Sequence, residues 1–157
     1  MVGSIAADLI FREARESDLP AIIALLAGDS MVQGRDNPSL PLDPAYTEAF
    51  RAIGQDRNNL LLVAEKDGHA VGFLQISFIP GLTHRGGWRA QIEGVRVSSA
   101  LRGQGIGRAL LAEAINMSRD RGCKLVQLMA HKERHDAHRF YENLGFVRGH
   151  EGFRLVF

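Results

Sequence analysis

IEGVRVSSALRGQGIGR, from Ile92 to Arg108, decides the fold of this chain. Its first half alternates as a β-strand does, a short polar turn follows, and Gly103, Gly105 and Gly107 open a helix. At such an entrance the amides of Gly103, Gln104, Gly105, Ile106 and Gly107 can converge on one anion, and the helix dipole adds attraction. Arg102 and Arg108 flank the loop with guanidinium groups whose forked geometry suits phosphate oxygens. The segment therefore reads as a phosphate cradle.

Other glycine motifs fit poorly. A Walker A loop needs Lys and then Ser or Thr after its last glycine, where this chain has Arg108 and Ala109. A dinucleotide fingerprint needs an acidic residue on the next strand to hold a ribose, and KLVQLMA (Lys124 to Ala130) has none. The pattern Arg102, Gly105, Gly107 instead resembles the Q/R-x-x-G-x-G/A pyrophosphate loop of the GNAT superfamily of acyl-CoA-dependent N-acetyltransferases. A second block, DAHRFYENLGF from Asp136 to Phe146, resembles that superfamily's later helix. The run RHDAHRFY is similar to the same segment of aminoalkylphosphonate N-acetyltransferases, a pointer to small amine substrates.

The composition agrees with one soluble domain. A length of 157 residues suits a single domain, 1–157, and 45% hydrophobic residues provide a sizeable core. Lys and Arg number 19 against 18 Asp and Glu, so the net charge of +1 gives no field suited to nucleic acid or an acidic membrane. The lone Cys123 excludes an internal disulfide. The opening MVGSIAADLI has no basic start, and Asp8 interrupts its apolar run, so a cytoplasmic protein without a signal peptide or membrane span is expected.

Pattern along the chain gives the order β-α-α-β-β-β-α-β-α-β-β. A strand over Leu9 to Arg15 precedes a helix capped by Ser17 or Asp18 and reaching Leu26, with Pro20 in its first turn. Gly28 to Pro44 reads as an adaptable loop, and a helix follows from Pro44 to Ile53. The run NLLLVAEKDGHAVGFLQISFI reads as two strands about an Asp67-Gly68 turn. After the mobile connection Pro80 to Gly87 comes a strand from Trp88 to Val97, and a helix then runs from Gly105 to Arg121. Next are a strand from Lys124 to Ala130, a helix capped by Asp136, and short strands at Phe146 to Arg148 and Phe153 to Phe157. This is an α/β (α+β) order. It coincides with the GNAT-like mixed, mostly antiparallel sheet of about seven strands flanked by about four helices.

The resemblance implies an acetyl transfer from acetyl-CoA to a primary amine of a small molecule, by direct attack. It makes Glu93 the general base, directly or through water, and Tyr141 the acid that protonates the leaving sulfur. Val95 and Val97 would offer backbone groups to the pantetheine arm as an added strand does, with Arg102 to Arg108 on the diphosphate. Structural roles compete for the same residues. Glu93 could pair with Arg89 or Arg96, Tyr141 could be a core tyrosine, and the valines could simply pack. Where many members carry an Asn ahead of the catalytic Tyr, this chain has Arg134. His131, His135 and His138 lack the carboxylate or Cys that completes a zinc pattern, so no metal is expected. Cys123, beside a helix end in an apolar strand, does not suit an acyl-enzyme route. A homodimer joined through the closing segment Phe153 to Phe157 is expected by the same resemblance. Acetylation of a protein N-terminus or lysine, or a non-catalytic acyl-CoA sensor, are the alternative functions.

Overall fold

A computed structural model describes residues 8–28, 31 and 33–157. The chain divides into two compact units, Met1–Gln127 and Leu128–Phe157. Its sheet has the order β1-β2-β3-β4-β5: β1 Ile10–Glu13, β2 Asn59–Lys66, β3 His69–Ile79, β4 Arg89–Val97 and β5 Leu125–Leu128. β1 to β4 form an antiparallel meander, while a helix connects β4 to β5.

The β2–β3 turn forms where the sequence places it. Asp67 and Gly68 both take positive φ, +50° and +78°, as a tight two-residue hairpin requires. Side chains along the two strands point alternately to opposite faces, and both faces are buried at the centre of the sheet. Leu61, Val63 and Phe73 pack with Ile22 of α1 (Leu19–Gly28), and Phe50 and Ile53 of α2 (Pro44–Gln55) join that cluster. Leu62 and Leu74 are paired opposite each other on the other face, where Gly72 lies against Ile106 of α4 (Ile106–Asp120). Fully burying one such leucine is worth about 1.5–3 kcal/mol, so this two-sided core holds the sheet between its helices.

Several boundaries move. α1 is preceded by a 3-10 turn, Glu16–Asp18, and Asp18 spends its carboxylate on the Arg15 amide and on Arg12. α2 is capped by Asp43, whose side chain accepts from the Ala45 amide at 2.9 Å. Residues Thr83–Gly86 form one extra helical turn, α3, in which His84 and Arg85 adopt left-handed φ of 52° and 58°. Part of the Gly28 to Pro44 loop lies outside the described residues. The largest correction concerns strand number: five strands form among the described residues, not seven. Phe146 to Arg148 and Phe153 to Phe157 are apolar enough for strands but have no strand partner among the described residues, and pairing, not composition, makes a strand. No helix among the described residues is long and apolar enough to cross a membrane.

Candidate active site

The first unit contributes a bulged strand and the loop that follows it. β3 steps from Phe73 to Gln75 while β4 steps back from Arg96 to Glu93, so β4 carries one residue more. Gly94 takes up the excess with φ +65°. The left-handed backbone favours glycine there, and a Cβ would also crowd the Phe73 ring at 3.3 Å. Glu93 stands next to this bulge, opposite Gln75, with its side chain exposed. It makes no ion pair with Arg89 or Arg96 among the described residues, leaving its carboxylate available to a ligand or water. Val95 and Val97, beyond the bulge, are half-buried, and the Val95 carbonyl accepts from Arg96 Nη1 at 2.8 Å.

At the end of β4 the Ser98 amide donates to the Val71 carbonyl at 2.8 Å, and a 3-10 turn, Ser99–Leu101, redirects the chain. Gly105, at φ +85°, then starts α4, a left-handed conformation that favours glycine. Its carbonyl accepts the first helical bond, from the Ala109 amide at 3.0 Å, so Ile106 and Gly107 lead the helix ahead of its ladder. The Ile106 side chain is buried and anchors this helix start to the sheet. A Cβ at Gly103 or Gly105 would meet nothing within 4 Å, so the loop's outer side is open. Arg102, Gly103, Gly105 and Arg108 are exposed on it. Gln104 is half-buried, and its Oε1 is sealed from solvent without a hydrogen-bond partner among the described residues. Leading amides, open space and flanking guanidinium groups suit a diphosphate.

The second unit carries Tyr141 on α5 (His135–Glu142). The Tyr141 ring is half-buried, edge-on to Phe140 at 5.3 Å and to Phe146 at 5.9 Å between centroids. Its carbonyl accepts from the Leu144 and Phe146 amides, so the chain folds back tightly past Gly145 (φ +90°). Arg134, not Asp136, occupies the N-cap of α5 and provides no side-chain cap. Asp136 is the second residue of the helix, its carboxyl held below the usual range chiefly by a hydrogen bond from the Ala137 amide. The three histidines do not converge on a common point: His138 Nε2 bonds the His131 carbonyl at 2.9 Å, and His131 Nδ1 lies near Glu133. In the first unit, burial pushes the Cys123 thiol up and lowers its thiolate fraction, which agrees with its exclusion as nucleophile.

Sequence reading missed the β4 bulge, whose signal is a glycine inside a strand pattern, and the engagement of His138. A cavity of about 550 Å³ lies at the far end of α4, lined by Phe50, Ile53, Phe78, Met117 and Arg121 among others. None of the loop residues Arg102 to Arg108 lines it, so it is separate from the candidate site.

Comparison with known proteins follows the same lines. The model of the acetyltransferase (GNAT) family matches residues 29–146. The chain is 34% identical over 109 residues to aminoalkylphosphonate N-acetyltransferase of Salmonella typhimurium, covering 69% of this chain and 70% of that one. It is 28% identical to streptothricin acetyltransferase of Streptomyces lavendulae, over 87% and 80% of the two chains. A solved structure described as a transcriptional regulator from Bacillus halodurans C-125 superposes with a TM-score of 0.92 at 48% identity, covering 95% of this chain and 99% of that one.

Proposed function

This chain belongs to the GNAT acetyltransferase family and is an acyltransferase, and from that premise we propose that it acetylates the primary amine of a small molecule, using acetyl-CoA and direct attack. The observation that carries this reading is the open glycine loop running directly from the bulged strand that bears Glu93. Relatives named for aminoalkylphosphonates and for streptothricin support a small amine as acceptor.

When bound, acetyl-CoA supplies the acetyl group as a thioester. The amides from Gly103 to Gly107, with Arg102 and Arg108, hold its diphosphate, and the backbone at Val95 and Val97 pairs with the pantetheine arm. A free amine with a pKa of about 10 is mostly protonated at neutral pH. Glu93 removes that proton, directly or through water, so that the nitrogen can attack. An amide of β4 stabilises the charge that develops on the acetyl oxygen. The Tyr141 hydroxyl gives its proton to the departing sulfur. The ammonium loses two protons in becoming the amide: the first passes to Glu93 and on to water, and the second, lost after attack, offsets the proton that Tyr141 gives the sulfur, so the transfer balances with one proton released. Residues 1–157 act as one acetyltransferase domain, cytoplasmic and homodimeric.

The test is loss of the acetyl-CoA thioester with a panel containing an aminoalkylphosphonate, glucosamine 6-phosphate, a polyamine, an amino acid and a lysine peptide. Turnover confined to the small amines is expected. Turnover on the peptide alone reassigns the acceptor to protein, and binding of coenzyme A without turnover on any amine favours a sensor.

A further inference from the structure

α5 is a helix of two turns that lacks an ordinary N-terminal cap. Helices this short do not hold themselves in water. Its N-cap, Arg134, makes no side-chain capping bond. In place of a cap, the ring of His138 reaches back across the first turn to the carbonyl of His131, at 2.9 Å. A carbonyl can only accept, so Nε2 carries the proton and donates it. The same carbonyl also accepts from the Arg134 amide at 2.9 Å, so one oxygen ties the turn 131–134 to the body of the helix. His138 is 9% exposed, and its Nδ1 is buried with no partner among the described residues. Among the described residues, the ring's hydrogen bonding is thus confined to the His131 carbonyl. One turn further on is Tyr141, whose ring and carbonyl are fixed against Phe146 from the other side.

We propose that His138 is a positioning residue: through its Nε2–H bond to the His131 carbonyl it sets where α5 begins and thereby aims the Tyr141 hydroxyl. The inference rests on the role given to Tyr141 under the proposed function. It assigns His138 neither metal nor proton transfer.

Two substitutions separate the latch from mere bulk. In His138→Gln the side-chain amide ends near the place of Nε2 and can still donate to His131. In His138→Asn it ends near Nδ1 and falls short. The probes are coenzyme A, for binding by calorimetry, and acetyl-CoA with the best amine of the panel, for turnover. His138→Asn is expected to lower kcat about tenfold, the loss that one hydrogen bond's free energy produces in a rate, with coenzyme A affinity within about twofold, a change too small to account for that loss. His138→Gln should recover most of the rate. With Tyr141 already replaced by Phe, His138→Asn should cost nothing further in kcat, because a residue that acts only through Tyr141 has nothing left to aim. The latch is overturned if the tenfold loss persists in the Tyr141→Phe background, if coenzyme A affinity falls in step with kcat, or if Gln is as poor as Asn. Full turnover by Tyr141→Phe alone would instead remove the reading on which the inference rests.

Discussion

A phenol with a pKa of about 10 stays protonated across neutral pH, while a thiol with a pKa of about 8.5 leaves partly as its anion. This difference is why the proposed mechanism gives a phenol, that of Tyr141, the task of protonating the sulfur. Its ring is clasped edge-on by Phe140 and Phe146, contacts that Phe can make equally well. Tyr141→Phe keeps these ring contacts and should bind coenzyme A normally, while kcat falls by about 10²–10⁴, the usual contribution of a positioned acid. Steady-state rates with a parallel calorimetric titration decide this. An unaltered kcat would leave Tyr141 a core residue. Glu93 poses a complementary case: its exposure and lack of ion-pair partners among the described residues fit a group that meets a substrate, whereas a structural carboxylate on a strand is normally paired.

Between elements, the firmest polar tie is the cluster of Arg12, Asp18 and Glu65, which joins β1 to the turn before α1 and to β2. Asp18 receives two guanidinium bonds, at 2.7 and 3.0 Å, and one from the Arg15 amide at 2.7 Å. The Arg12 hydrogen bond, first among these causes, holds its carboxyl below the ordinary range, and the Arg12 guanidinium is raised in turn. A carboxylate of depressed pKa stabilises the fold above its unfolded value of about 3.9 and ceases to do so as the pH drops through its folded value. Asp18→Asn should therefore cost about 2 kcal/mol at pH 7, with the gap to the parent closing below about pH 4. Urea unfolding across that range measures it, and a gap of constant size would mean that the charge is irrelevant. This tie was not legible in the sequence, because Arg12 and Glu65 meet only once β1 lies against β2. What could be read was local: Asp67-Gly68 dictates its hairpin, and the glycines after Leu101 dictate a loop and a helix start. The bulge at Gly94 was also written there, as a glycine interrupting a strand, but its meaning depends on the left-handed backbone there and on the Phe73 ring that a Cβ would crowd. The α5 cap failed for a similar reason: Asp136 has the right chemistry, but the chain begins the helix two residues earlier, with Arg134 at the cap position and His138 bonded to the His131 carbonyl.

For the molecule as a whole, the closing segment matters most. Val147, Phe153, Leu155, Val156 and Phe157 are strongly exposed, Phe153 at 95% and Leu155 at 80%, within the stretch 147–157. Each such side chain forgoes about 1.5–3 kcal/mol by remaining in water, and contiguous apolar surface of this kind marks a site of association. Strand pairing is a non-local property, so the apolar run Phe153 to Phe157 can suggest a strand without saying what it pairs with. A second copy of the chain would supply both apolar cover and backbone partners, which is the content of the homodimer proposal. Light scattering on the eluting protein should then give twice the chain mass. Replacing Phe153 and Leu155 together by Asp should halve that mass, because two carboxylates cannot be buried unpaired at an interface. If the parent protein elutes as a monomer at tens of micromolar, a range typical of such runs and well above the Kd of a stable interface, the segment has some other use. If the double variant remains a dimer, the two copies meet elsewhere on their surface.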